Sequence, residues 1–233
     1  MTEGMGPRDG PDVEPGVEVA GSRRWAWTAA LVLGLLGGSG LLWHFRPQDP
    51  LESLEGLPES PALQVLRTME HGQGVSAAEG RHMYDLIVAR GYKRGLDVGT
   101  AHGYSALWFG MALASAGGSV VTIELDPATA ETAGANFRTA GLGGVIDSRV
   151  NDAFKEIPRL EGVFDFVFLD TGTGEDQRLL DLLRSRIRPG GALMAHNATF
   201  MRWQQPEFWK SITTPSEFET TVFGRVAIAI KRR

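Results

Sequence analysis

Five short apolar runs set the limits on what this chain can fold into. They are "RGLDVGT", "SVVTIEL", "VIDSRVN", "FDFVFLD" and "GALMAHN", and helical stretches at 104–116, 127–140, 152–159 and 175–187 separate each from the next. Strands joined through helices run parallel, and a parallel sheet is covered by helices on both faces. The spacing therefore predicts a doubly wound α/β fold. The C-terminal stretch "FETTVFGRVAIAIKRR" breaks the rhythm. Two strand runs meet at Gly224 with no room for a helix, so an antiparallel hairpin is expected at the sheet's edge. The result is a mostly parallel seven-stranded sheet.

Sheets of this kind bind ligands beyond the carboxyl ends of their strands. The polar strand ends are Asp97–Gly99, Glu124, Asn151–Asp152, Asp170 and His196–Asn197. Packing does not explain five polar ends on otherwise apolar strands. In "GLDVGTAHGYS", residues 95–105, Gly99 and Gly103 permit a tight turn and close approach of backbone N–H groups to a ligand. A dinucleotide site would need G-x-G-x-x-G, which is absent, and Asp97 would repel a pyrophosphate. A cofactor with a cationic centre would instead welcome Asp97.

The segments "GVSAAEGRHMYDLI", "GLDVGTAHGYSALWFG", "VVTIELDPATAETAGANFRTAGL", "NDAFKEIP", "FDFVFLD" and "RPGGALMAHN" together resemble class I S-adenosylmethionine-dependent methyltransferases. They are most similar to the small O-methyltransferases of the catechol and caffeoyl-CoA type, over about 72–233. The resemblance implies a Rossmann-like fold, an S-adenosylmethionine cofactor and a small hydroxyl-bearing acceptor, aromatic or not. It implies that Gly99 and Gly103, with Asp97 and Ser105, hold the methionine portion of the cofactor. Glu124 would accept both ribose hydroxyls, Asp152 would face the adenine amino group, and Val75–Ser76 would line the approach; Asp170 also borders the cofactor.

Related enzymes hold a divalent metal with Asp, Asp and Asn, and use a lysine after the first Asp to take the proton. The corresponding positions here are Asp170, His196 and Asn197, with Thr173 in place of the lysine. Three readings of His196 stand. It is a metal ligand that shifts preference from Mg²⁺ toward Mn²⁺, Fe²⁺ or Zn²⁺, or it is the catalytic base alongside Asp170, or it only packs. Trp203, Phe208 and Trp209 either stack on a flat acceptor or pack against the sheet. The missing lysine keeps open a second function, a membrane-tethered protein that binds the cofactor without catalysis.

Ahead of this domain, residues 61–233, the chain changes character. Residues 1–22 are rich in Gly, Pro and acids and read as a disordered tail. Residues 23–46 carry no charge from Trp25 to Trp43, long enough for a transmembrane helix with interfacial tryptophans. Residues 47–60 read as a Pro- and Glu-rich linker. Arg23 and Arg24 admit a twin-arginine export signal, and the positive-inside bias over Arg46 places the domain outside. The cytoplasmic supply of the cofactor argues the other way, so a single-pass anchor with a cytoplasmic catalytic domain is expected. No cysteine is present, which excludes disulfides and thiolate chemistry. A net charge of −5 argues against a nucleic-acid partner. The membrane and a small-molecule acceptor are the expected partners, and a homodimer stays open.

Overall fold

The structure is a computed structural model that describes residues 52–69 and 74–232. The expected tail and transmembrane segment lie outside the described residues. Among the described residues, no helix is long and apolar enough to cross a membrane.

Seven strands form one sheet: β1 (Arg94–Val98), β2 (Ser119–Glu124), β3 (Ile146–Val150), β4 (Phe164–Leu169), β5 (Ile187–Ala195), β6 (Phe218–Phe223) and β7 (Val226–Lys231). Their order is β3-β2-β1-β4-β5-β7-β6. The first five run parallel, and β7 lies antiparallel between β5 and β6. The hairpin at the edge is thus as the sequence predicts. The order reverses between β1 and β4, which opens a crevice at their carboxyl ends.

The helices are α1 (Pro61–Thr68), α2 (Ala77–Arg90), α3 (Tyr104–Ala114), α4 (Pro127–Thr139), α5 (Ala153–Glu156), α6 (Asp176–Leu183), α7 (Ala198–Gln204) and α8 (Pro206–Ile212). Local chemistry sets their ends. Ser76 and Glu79 form a reciprocal capping box that starts α2, and Gly91, left-handed at φ 62°, ends it. Asp126 caps α4 ahead of Pro127 at its first turn.

Side chains alternate across β4. Phe166 and Phe168 join Met83, Ile87, Trp108 and Phe109 on one face, while Val167 and Leu169 join Leu96, Leu179, Leu183 and Phe208 on the other. The Phe109 ring meets Phe166 and Phe168 edge-on at centroid distances of 5.2 and 5.4 Å. Each such buried side chain stabilises the sheet by about 1.5–3 kcal/mol. That two-sided burial keeps the strand ends, and the groups they carry, rigid.

The linker reading meets a difference. Leu54 and Leu57 are buried in the same core as α2 and α3. Arg81 in α2 also donates to the carbonyls of Ser53 and Glu55, at 3.2 and 2.8 Å. Two leucines three positions apart sufficed to dock a segment whose composition looked solvated.

Candidate functional site

The crevice begins at Gly99, which leaves β1 at φ 101°. A Cβ there would stand 2.3 Å from the Asp170 carbonyl oxygen. Only glycine allows the end of β1 to pass so close to the end of β4. The turn continues through Ala101, a non-glycine residue at φ 46°. That strain is held by the Ala101 N–H, which donates to Glu124 Oε2 at 2.8 Å. Glu124 Oε1 accepts from the N–H groups of Leu125 and Asp126, at 2.9 and 3.0 Å. Three backbone donors therefore fix this carboxylate at the rim; Oε1 takes two of them, and Oε2, with one, keeps acceptor capacity.

A cavity of about 420 Å³ lies beside it. Gly99, Glu124, Asp152 and Asp170 line it, with Leu125 and Phe154 as apolar walls. Asp152 also caps α5 by accepting from the Phe154 N–H at 2.9 Å. Thr173 borders this cavity too, its hydroxyl 2.9 Å from that of Thr171. Asp97, Gly103, Ser105 and Val75 are not among the lining residues. Val75 packs in the core, and Ser76 is committed to capping α2. Gly103, at φ 91°, starts α3 where a Cβ would strike the Phe137 ring.

Asp97 lies under the turn, 0% exposed. Thr122 donates to it at 2.8 Å, and Ser105 Oγ lies 3.3 Å away. Burial pushes its carboxyl up to about 7, the negative charge of Asp170 adds to the rise, and the Thr122 and Ser105 hydroxyls oppose it. Unfolded, the group titrates near its ordinary 3.8. Folding then takes up a proton between those values, so this group's contribution to stability falls as pH rises from about 4 through 7. Asp97→Asn keeps the shape and removes the charge. We expect its stability relative to the parent to be greater at pH 8 than at pH 5, by as much as about 2.7 kcal/mol, about two pH units of titration below the folded value. Urea denaturation at the two pH values checks this; parallel pH dependence in both proteins would refute it.

A second cavity, of about 210 Å³, adjoins the first through Asp170, which lines both. His196 and Asn197, at the end of β5, form its floor with Phe200, Gln204 and Gln205 nearby. Asn197 turns the chain at φ 61°, and its side chain makes no capping bond to α7. Asp176 and Gln205 bond reciprocally, tying the start of α6 to the junction of α7 and α8. Burial raises the Asp176 carboxyl above its usual range, opposed by the Gln205 bond. Among the described residues, no lysine or arginine lines this cavity.

Of the two readings of the aromatic residues, packing holds for two of the three. Phe208 is fully buried in the core and Trp209 packs partly against it. Trp203 points outward, 82% exposed, and Phe200 is the aromatic ring at the cavity.

His196 is 1% exposed, with Nδ1 at 3.1 Å from Asp170 Oδ2 and Nε2 at 3.9 Å from Glu79 Oε2. Neither ring nitrogen has a hydrogen-bond partner among the described residues. Among those residues no group of three or more His, Cys, Asp or Glu is placed to hold a metal. The available set is one carboxylate, one imidazole and one amide. It fits a divalent cation on one observation: an orphaned buried nitrogen faces a carboxylate oxygen, an arrangement that favours positive charge between them.

The sequence singled out Asp170, His196, Asn197, Gly99, Glu124 and Asp152, and the fold brings all six to one crevice. It did not single out Leu125, Phe154, Phe200, Gln205 or Glu79. For Glu79 a signal was present: Ser76-x-x-Glu79 is a capping-box pattern.

Comparison with known proteins bears on the same segment. A family profile described as a methyltransferase domain matches residues 96–198. The catechol O-methyltransferase of Mycobacterium tuberculosis is 32% identical over 124 residues, 53% of this chain and 56% of its own. The chain thus spans little more than half of that relative. A solved O-methyltransferase from Bacillus cereus, in complex with SAH, shares the fold at a TM-score of 0.62 and 23% identity. The match covers 89% of this chain and 99% of that one. The catechol O-methyltransferase domain-containing protein 1 of Mus musculus is 32% identical over 191 residues, 71% of either chain. Identity sustained over that length, on this sheet order, is a family relationship: the chain belongs to the class I S-adenosylmethionine-dependent O-methyltransferases.

Proposed function

We propose that this protein methylates an oxygen of a small hydroxyl-bearing molecule, with S-adenosylmethionine as the methyl donor. One observation carries the reading: two cavities at the strand ends share a single carboxylate, Asp170. The larger offers hydroxyl acceptors and apolar walls suited to a nucleoside, and the smaller offers polar groups suited to an acceptor hydroxyl. Bound S-adenosylmethionine supplies an electrophilic methyl group on a sulfonium that departs as a neutral thioether.

The chain's own groups do the rest. Glu124 accepts from the ribose hydroxyls, Asp152 meets the base, and Leu125 and Phe154 flank it. Asp97, beneath the glycine turn, supplies negative charge near the cationic centre. Asp170 stands between donor and acceptor, where it takes the hydroxyl proton as the oxygen attacks the methyl carbon in line. His196, against Asp170, is placed to share that proton. Asp170, His196 and Asn197 are the residues that would hold a divalent cation, whose chemistry is to lower the pKa of an acceptor hydroxyl. An imidazole in the set favours Mn²⁺, Fe²⁺ or Zn²⁺ over Mg²⁺. The carboxylates of Asp170 and Asp176 at this cavity suit a neutral or positively charged acceptor, and a catechol-like ring accords with the names of the relatives.

Calorimetry with S-adenosylmethionine and with NAD tests the cofactor, and labelled cofactor with catechols, phenols and carboxylates, with and without metals, tests the activity. Binding of NAD alone would overturn the reading. Cofactor binding without labelled product under any condition would favour the second reading, a binding protein, for which Thr173 in the lysine position is the supporting feature. The membrane anchor rests on the sequence of residues 23–46 and the cytoplasmic placement on the supply of the cofactor; a reporter active only outside the cytoplasm, fused at Arg233, reads the side.

A further inference from the structure

We propose that Asp176 sorts acceptors by charge: its buried carboxylate at the smaller cavity favours a hydroxyl compound that carries a protonated amine and rejects one that carries a carboxylate. That the sorted molecule is a methyl acceptor rests on the function proposed above; the preference for charge does not.

Asp176 opens α6 and lines the smaller cavity, yet it is only 5% exposed. Its carboxylate has one orienting partner. Gln205 Nε2 donates to Oδ2, while Gln205 Oε1 accepts from the Asp176 N–H at 3.1 Å. Among the described residues no donor is bonded to Oδ1. Glu175, beside it in the chain, is paired with Arg178, but among the described residues no Lys, Arg or His lies within ion-pair reach of Asp176. Burial raises its carboxyl, the Gln205 bond opposes the rise, and the charge of Asp170 adds to it. A buried carboxylate held by one amide and facing another carboxylate lacks compensation. A cation in the cavity would supply what the fold does not. A carboxylate there would bring a third negative charge beside Asp170 and Asp176.

The rest of the wall points to a ligand of the same kind. His196, 1% exposed, lines this cavity with neither ring nitrogen hydrogen-bonded among the described residues. Phe200 adds an aromatic ring, whose face attracts cations and not anions. The two carboxylates divide the work. Asp170 lines both cavities and stands 3.1 Å from His196 Nδ1, at the place of the reacting hydroxyl. Asp176 lines the acceptor cavity and not the larger one. A charged group on the acceptor, away from the reacting oxygen, is therefore left to Asp176.

An acid that steadies the start of α6 and ties it to α7 and α8 is the competing explanation. Asp176→Asn separates the two, because asparagine keeps an oxygen for Gln205 Nε2 and the backbone bond while losing the charge. Three compounds of matched size serve as probes: 3,4-dihydroxybenzylamine, 4-methylcatechol and 3,4-dihydroxybenzoate. With full-length protein and labelled S-adenosylmethionine, with and without metals, we expect kcat/KM to fall in that order. The amine should lead the methyl compound by about 10–100-fold, the range for one charge-assisted contact. In Asp176→Asn the spread from amine to carboxylate should shrink by about 10-fold or more. A purely structural role would lower all three together and leave the ratios as they were. Unchanged ratios in the variant would overturn the proposal, as would a parent that takes the carboxylate as readily as the amine. Should no probe be methylated, the methyl-transfer reading falls. Calorimetric binding of the same three compounds, with S-adenosylhomocysteine present, then decides on Asp176 by the same order and the same variant. Should Asp176→Asn fail to fold, the parent's order decides: amine first supports the proposal, and any other order overturns it.

Discussion

Asp170→Asn is expected to lower the rate of methyl transfer by about 10²–10⁴-fold, the range for loss of a positioned acid–base group. The substitution keeps the side chain's size and the backbone bond from its N–H to the Val98 carbonyl, so the end of β4 stays in place. It removes the carboxylate that lines both cavities and that stands 3.1 Å from His196 Nδ1. Affinity for S-adenosylmethionine should change far less, because Glu124 and the glycine turn are untouched. Asp97 should then titrate lower, since the Asp170 charge contributes to its raised pKa. Single-turnover assays with labelled cofactor, beside calorimetry on the same variant, separate the two effects. A variant that transfers methyl at the parent rate would remove Asp170 from the chemistry.

The second large effect is expected at the far wall of the cofactor cavity. Glu124→Ala should weaken S-adenosylmethionine binding by roughly 10–150-fold, the equivalent of about 1.5–3 kcal/mol for a lost charge-assisted contact. The loss has two sources. The carboxylate that would accept the ribose hydroxyls disappears, and three backbone N–H groups, of Ala101, Leu125 and Asp126, lose their acceptor. Freed from that bond, strained Ala101 relaxes and the glycine turn loses its preorganised shape. Glu124→Gln keeps an oxygen for part of the backbone set, so it should fall between parent and alanine variant. Calorimetric titration orders the three. Equal affinities in all three would place the cofactor elsewhere.

Local patterning was enough to read the strands, the helices between them and the closing hairpin. Short apolar runs and the helical spacing between them act between neighbours in the chain, where physical chemistry is nearly independent of the rest of the fold. The strand-end rule was enough to gather Gly99, Glu124, Asp152, Asp170, His196 and Asn197 as one candidate site, because every strand of a parallel sheet presents its carboxyl end on the same side. Asp97 was legible as an anomaly for the same reason: a carboxylate inside an apolar run carries a visible cost.

What the sequence could not carry was which side chains meet across elements. Glu79 and His196 are 117 positions apart, and only the tertiary fold brings Glu79 Oε2 to 3.9 Å from His196 Nε2. Trp203 and Phe200 occupy the same short helix, and its rotation alone turns Phe200 to the acceptor cavity and Trp203 to solvent. Leu54 and Leu57 sit in a segment rich in Glu and Pro, and the pocket that receives them is formed by helices later in the chain. Composition and spacing report what a segment prefers by itself; contacts between distant segments are settled by the packing of the whole, where each site is filled by whichever side chain the crossovers deliver.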